Sequence, residues 1–351
     1  MLCNVRVAVF GCRGVVTGAP VSALIVNFRS TDWLLPCLES LLDVGPDLTR
    51  VIVVDNASGD GSIERIQAWA EGREMARSHA APALDGLWQP PLDKPIPVYT
   101  SAADGDVDPA ARLVLIAANA NRGFAAGNNI GLRYIEACRD ASDVWLLNPD
   151  VLVAPGALRA MRARMAEDQS IGTCGALLRY LELPDHVQCY GGAWFKGWTA
   201  QAGHLGEGHL FEDDVDPELV ERHLAYVMGA CLLASRAYLN RVGPMDERFF
   251  LYFEEMSWQV RAGRRFKAAF AAEAEVYHHH HASGGRHDRL LYGGRLRFAR
   301  YYRPWTLPTV AAGVLGAAWR AWRQGESARA RMLASRSFWW EALTRPGSAP
   351  G

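Results

Sequence analysis

The feature that most constrains this chain is a set of short, unbroken apolar runs, each ending abruptly in polar residues. Ala23–Val26 is followed by Asn27-Phe28-Arg29, Val51–Val54 by Asp55-Asn56-Ala57-Ser58, and Val144–Leu147 by Asn148-Pro149-Asp150. Runs without polar alternation are the signature of strands buried on both faces of a parallel sheet. Leu113–Ile116 is a fourth run. Between them, Leu34, Leu35, Leu38, Leu41 and Leu42 recur at helical spacing behind the cap candidates Ser30 and Thr31. Segments 62–69 and 128–138 also read as helices, and Pro155 opens another. The pattern predicts an α/β fold with a mostly parallel sheet. In such sheets ligands bind beyond the carboxyl ends of the strands, so the three polar clusters are expected to converge.

Other segments are less regular. Prolines at 82, 90, 91, 95 and 97 break the rhythm over 71–111, which reads as a surface insertion. Residues 171–225 read as irregular, 266–277 as strand and turn, and the chain from Pro308 as helical. The expected organisation is an extension over 1–20, one domain over 21–303 and a helical segment over 304–351. The formal charge is −1, so no basic field exists to hold nucleic acid. The seven cysteines are odd in number, scattered, and without a C-x-x-C pair, which predicts reduced thiols in a cytoplasmic protein. No apolar run reaches the roughly 18 residues of a membrane-spanning helix, and the N-terminus lacks the pattern of a signal peptide.

Asp150 follows a proline that fixes its approach. A carboxylate there suits Mg²⁺ or Mn²⁺ held partly by substrate phosphates. Glu254 and Glu255 lie among Phe249, Phe250, Tyr252, Phe253 and Trp258. Two acids amid aromatics are desolvated or functional rather than a solvated helix face. His278 follows a strand-like stretch, and a ligand and a non-ligand role are both open for it. Trp194, Phe195 and Trp198 read either as a sugar-stacking platform or as core, with core expected for at least one. The segment 305–345 interleaves tryptophans with an excess of arginine. Peripheral contact with the inner face of the cytoplasmic membrane, and packing against the domain or a second subunit, are equally open readings.

These motifs in order resemble the family-2 glycosyltransferases, and within them the bacterial rhamnosyltransferase-like branch. The resemblance rests on Val26-Asn27-Phe28, the stretch from Val53 to Ser62, Asn121-Arg122-Gly123-Phe124, Leu146–Asp150, Gly229–Leu233, Asp246–Glu255 and Val276-Tyr277-His278. It spans about residues 22–303. It implies a GT-A fold, with a Rossmann-like nucleotide-binding half fused to an acceptor-binding half. It implies inverting, metal-dependent transfer of a sugar, rhamnose by branch, from a nucleotide-diphosphate donor to a glycan or lipid-linked glycan, as in cell-envelope polysaccharide biosynthesis. By the same resemblance Asn27, Asp55, Asn121, Arg122, Asp150 and Arg295 contact the nucleotide sugar, and Asp150 and His278 hold Mg²⁺ or Mn²⁺. Glu255 is the general base, with Glu254 beside it as the alternative. Two departures stand out: Asn148 replaces the first acid of the D-x-D motif, and Ser257 replaces an aspartate two residues beyond the base. They leave open a catalytically silent nucleotide-sugar or glycan-binding relative. A nucleotidyltransferase is the other alternative, without the Gly-rich basic signature it needs.

Overall fold

The computed structural model describes residues 20–78, 80–211, 215–279, 285–345 and 347. The N-terminal extension read over 1–20 and most of the loop after the histidine run therefore lie outside the described residues. The first half runs β1 (Val21–Asn27), α1 (Thr31–Leu42), β2 (Leu48–Asp55), α2 (Ser62–Ala70), β3 (Val98–Ala102), β4 (Leu113–Ala117), α3 (Phe124–Ala137), β5 (Asp143–Leu147), β6 (Val151–Val153) and α4 (Ala157–Ala166). The second half runs β7 (Ile171–Tyr180), β8 (Val187–Tyr190), β9 (Gly192–Lys196), β10 (Gln201–His204), α5 (Pro217–His223), β11 (Tyr226–Val227), β12 (Cys231–Ala234), α6 (Arg236–Val242), α7 (Glu254–Ala262) and β13 (Lys267–His278). Four helices close the chain: α8 (Gly285–Tyr302), α9 (Leu307–Arg323), α10 (Ser327–Ala334) and α11 (Arg336–Thr344).

The main sheet has the order β3-β4-β2-β1-β5-β12-β7-β13-β6, with β8 paired to β7. Strands β3, β4, β2, β1 and β5 are mutually parallel, and β12 enters antiparallel between β5 and β7. The apolar runs explain the layering. Ala23 and Ile25 of β1 pack into the core on one face with Leu34, Leu38 and Leu41 of α1. Leu24 packs on the other face with Ile135 and Tyr134 of α3. Val51 and Val53 of β2 likewise oppose Ile52 and Val54. Each such side chain contributes about 1.5–3 kcal/mol on burial, so both faces must be covered.

Three expectations need correction. The segment 171–225, read as irregular, contains the buried ten-residue strand β7 and a hairpin of β9 with β10. Its small residues hid it: Gly175 lies so close to Gly191 that a Cβ would stand 2.1 Å from the Gly191 carbonyl oxygen. The segment 71–111 is partly built into the fold, since β3 forms the sheet edge beside β4 and Leu84 and Trp88 join the core. Helix α3 begins at Phe124, four residues before the expected Asn128.

The C-terminal helices pack on the domain. Val310 and Val314 of α9, Leu333 of α10 and Phe338 of α11 share one buried cluster with Leu296 and Phe298 of α8 and with Phe249, Phe253 and Met256. The packing reading of 305–345 thus holds for the inner face of these helices.

Candidate active site

The register of the parallel strands sets the first polar cluster. Asn27 pairs with Asp55, and Asp55 with Ala117, so the ends of β1, β2 and β4 lie side by side. Asn27 Nδ2 donates to Asp55 Oδ1 at 2.9 Å. Ser58 donates its hydroxyl to the same oxygen at 2.6 Å and its backbone N–H to Oδ2 at 3.1 Å. Arg29 Nε closes the turn onto the Ser58 carbonyl at 3.0 Å. Asn56 Nδ2 donates to Asn121 Oδ1 at 3.0 Å, which also accepts from the Gly123 N–H at 3.0 Å. These bonds engage the amide nitrogens of Asn27 and Asn56. The carbonyl oxygens Asn27 Oδ1 and Asn56 Oδ1 are left buried and without a partner. Two buried acceptors lacking donors are costly unless a ligand supplies the donors.

The second cluster forms where β5 and β13 end. Asp150 and His278 are both buried, and His278 Nε2 lies 3.3 Å from Asp150 Oδ1. His278 Nδ1 contacts Gln188 Oε1 at 2.6 Å, while Asn148 Nδ2 contacts Nε2 at 3.1 Å. Gln188 Oε1 only accepts, so Nδ1 donates to it, and Nε2 is the ring nitrogen turned toward Asn148 and Asp150. A basic imidazole nitrogen then faces a carboxylate oxygen, which is the donor pair a divalent cation takes. The partner on the other ring nitrogen is the usual device for orienting a metal-binding histidine. No group of three or more His, Cys, Asp or Glu side chains assembles among the described residues. Asn148 stands where a further acid would complete such a group. The residues present therefore fit a cation that completes its shell with phosphate oxygens and water.

The third element is the start of α7. Tyr252 and Phe253 both adopt left-handed backbone conformations, with φ of 68° and 75°. Two consecutive non-glycine residues there are strained, and such strain clusters at functional sites. The turn delivers Glu254 and Glu255 into the first helical turn. Glu254 is buried, and its Oε2 has no partner. Glu255 is half-buried, and its Oε1 accepts the Gly229 N–H at 3.2 Å. Burial raises the pKa of both carboxyls, and the charge of Glu255 pushes Glu254 higher still. Gly229 has no room for a side chain, because a Cβ would stand 2.4 Å from Glu255 Oε1. Asn148 N donates to the Ala230 carbonyl at 3.1 Å, so two adjacent residues tie the Asp150–His278 corner to Glu255.

A cavity of about 430 Å³ is lined by residues of the second and third of these parts. Asn148, Gln188, His278, Glu254, Glu255, His287 and Arg295 are among its lining residues. Burial lowers the pKa of Arg295, whose guanidinium lies 4.9 Å over the Tyr292 ring. Asn27, Asp55 and Asn121 lie outside the cavity, at the strand ends. Arg122 is 71% exposed and pairs with Glu247 at 3.1 Å. Ser257 is fully buried and bonds back to the Glu254 carbonyl at 2.9 Å, so it does not face the cavity. Phe195 packs edge-on against Phe298, while Trp198 is exposed; neither these nor Trp194 lines the cavity. Gln188 and His287 escaped the sequence reading, and Gly229 entered it only within the Gly229–Leu233 motif, with no role of its own. A lone polar residue in the apolar strand Val187–Tyr190 was the one signal for Gln188.

The sheet order and the helices that cover it are those of the GT-A glycosyltransferase fold. The crystal structure of GalNAc-T7 with UDP, GalNAc and Mn²⁺ superposes with a TM-score of 0.50 at 14% identity, covering 80% of this chain and 48% of that one. Within that class the chain is family-2-like: the model described as Glycosyl transferase family 2 matches residues 22–79, from β1 through α2. N-acetylglucosaminyl-diphospho-decaprenol L-rhamnosyltransferase of Mycobacterium tuberculosis is 27% identical over 200 residues, 51% of this chain and 62% of that protein. The low-salt glycan biosynthesis hexosyltransferase Agl10 of Haloferax volcanii is 25% identical over 151 residues, 41% of this chain and 44% of that protein. The match thus spans less than two thirds of either relative.

Proposed function

We propose that this chain is an inverting glycosyltransferase. It moves a sugar from a nucleoside-diphosphate donor to a hydroxyl of a glycan or lipid-linked glycan in the cytoplasm, with Mg²⁺ or Mn²⁺ as cofactor. The single observation that carries the reading is the cavity lined by His278, whose Nε2 lies 3.3 Å from Asp150, and by the Glu254–Glu255 pair. Asn27 Oδ1 and Asn56 Oδ1 would accept hydrogen bonds from the base or ribose. Asp150 and His278 would hold the cation, which when bound neutralises the diphosphate leaving group. Glu255 would take the acceptor proton as the acceptor oxygen bonds to the anomeric carbon; the carbon–oxygen bond to phosphate breaks and its electron pair leaves with the diphosphate. Burial raises both carboxyls and the charge of Glu255 raises Glu254 further, so the two acids titrate as one coupled pair. Arg295, which also lines the cavity, would meet a phosphate. The name of the Mycobacterium relative supports rhamnose as the sugar and a diphosphate-linked lipid as the acceptor carrier.

The reading is tested by thermal denaturation with a panel of nucleotide sugars, with and without Mn²⁺, followed by mass spectrometry of donor turnover. A ligand at a hundred times its Kd adds about 2.7 kcal/mol to the native state. If no nucleotide sugar raises Tm under either condition, the reading fails; binding without turnover on any acceptor supports the silent relative instead.

Gly229→Ala gives a focused check on Glu255. The added Cβ displaces the Glu255 carboxylate, and transfer is expected to fall about 10–10²-fold with donor affinity unchanged, since misplacing a reacting group by about 1 Å has that scale of cost. Wild-type turnover in this variant would show that the Gly229 contact does not position the base.

A further inference from the structure

We infer that the outer face of α9 and the adjoining hairpin tip form a docking surface for an anionic phospholipid bilayer. Packing of the C-terminal helices leaves their outer side uncovered. On α9 the inner positions Val310, Val314, Ala317 and Ala321 are buried. The outer positions Ala312, Leu315, Trp319 and Trp322 form a second stripe at helical spacing, and it faces solvent. Leu315, Trp319 and Trp322 are 53%, 55% and 68% exposed, and Trp305 just before the helix is 65% exposed. A helix apolar on both faces with only one face covered has a second partner to find.

Charge identifies that partner. Helix α9 contains no acidic residue, and its exposed Arg320 and Arg323 have no recorded ion pair among the described residues. The Arg323 guanidinium sits 5.0 Å over the Trp319 ring, so cation and indole share one face. The exposed Glu326 nearby is already paired with Arg329 at 3.0 Å. Tryptophan with unpaired arginine is the composition of a segment lying in the headgroup layer of an anionic membrane. A two-fold dimer through the same face would set these arginines against their own copies, which is unfavourable. No described helix is long and apolar enough to cross a membrane, so the surface lies on the bilayer rather than in it.

The surface is also connected to the cavity. Thr309 of α9 donates its hydroxyl to the Trp198 carbonyl, and Trp198, 67% exposed, occupies the turn between β9 and β10. Ala202, Gly203 and His204, on the returning strand of that hairpin, line the cavity. Trp198 lies four to six residues before these three positions along the hairpin. A lipid-linked substrate with its tail in the bilayer at Trp198 would thus present its sugar end at the cavity wall. Only this last step rests on the glycosyltransferase reading; the bilayer contact itself does not.

Flotation of the full chain with phosphatidylglycerol-containing vesicles and with pure phosphatidylcholine vesicles tests the inference and needs no sugar substrate. The anionic vesicles are expected to carry at least ~10-fold more protein, and the difference should shrink as salt rises from about 0.1 M to about 1 M. The double variant Trp319→Glu/Trp322→Glu should lose at least ~10-fold of that partition while keeping the wild-type thermal transition. Should that variant fold poorly, Arg320→Glu/Arg323→Glu replaces exposed charges only and must abolish the lipid and salt dependence. Equal partition of wild type and variants, or none for wild type, overturns the inference. A sedimenting dimer that the tryptophan substitutions dissolve, with no flotation of wild type, assigns the face to a second copy instead.

Discussion

Glu255→Gln is expected to lower transfer ~10²–10⁴-fold while donor affinity stays near wild type, because an amide of the same size cannot accept the acceptor proton. Glu254→Gln is the discriminating control. If Glu254 carries the proton of the coupled pair, an amide there resembles the working state and much of the rate survives. Loss in the Glu254 variant with full activity in the Glu255 variant reverses the two roles; full activity in both removes the carboxylate pair from the mechanism. The pH dependence has a definite sign. Both carboxyls titrate above the ordinary glutamate range, so kcat/KM should fall as pH drops through the raised value that belongs to the pair. Stability runs the other way. A carboxyl with a raised native pKa contributes stability fully below the unfolded value, and loses it as pH rises through the folded one. Wild type should therefore lose stability relative to Glu254→Gln toward alkaline pH, as urea titrations at several pH values would show. A wild type that instead gains on the variant as pH rises would mean that the pair is ionised and satisfied in the fold.

The parts legible in the sequence are those governed by short-range pattern. The runs at Ala23–Val26, Val51–Val54 and Val144–Leu147 carried their own period, so the parallel sheet and the convergence of Asn27 with Asp55 followed. Glu254 and Glu255 stood out because acids rarely sit among five aromatics without a reason. What pattern could not supply is pairing at long range. Gln188 and His278 are ninety residues apart and meet only because β8 and β13 both flank β7. Strand β7 itself was hidden by glycines whose purpose, the close approach to Gly191, exists only in the folded sheet. Gly229 had the same difficulty: its need to lack a Cβ is set by Glu255, on another element. The reverse case is Ser257. By position it looked like a lost catalytic acid, yet the helix turns it into the packed side of α7, so its hydroxyl removes nothing from the cavity. Arg122 and Asn121 read alike as nucleotide-sugar contacts; in the fold Asn121 shapes its own loop through Asn56 and Gly123, and Arg122 pairs with Glu247 while 71% exposed.

Asp150→Ala is expected to abolish measurable transfer and to erase the cation dependence of nucleotide binding, so that nucleoside-diphosphate affinity by calorimetry is the same with and without Mn²⁺. The reason is the small donor set. With two side chains of suitable chemistry at this corner, loss of the charged one leaves a neutral imidazole that cannot hold a hard divalent cation against water. His278→Ala should produce the same loss in weaker form. The double variant should be no worse than Asp150→Ala alone, because both act through one ligand. Gln188→Leu tests the tautomer separately: with Nδ1 no longer held, cation affinity should drop although neither donor is removed, and Gln188→Glu, which still accepts from Nδ1, should restore it. Asn148→Asp moves in the opposite direction. It replaces the amide that donates to His278 Nε2 with a third Lewis-basic side chain, so the cation should bind without nucleotide. Mn²⁺ affinity measured on the substrate-free protein reads that gain without reference to turnover. If Asp150→Ala keeps wild-type cation dependence, the cation is held elsewhere, and the Asp150–His278 pair is a buried ion pair that braces β13 against the turn after β5.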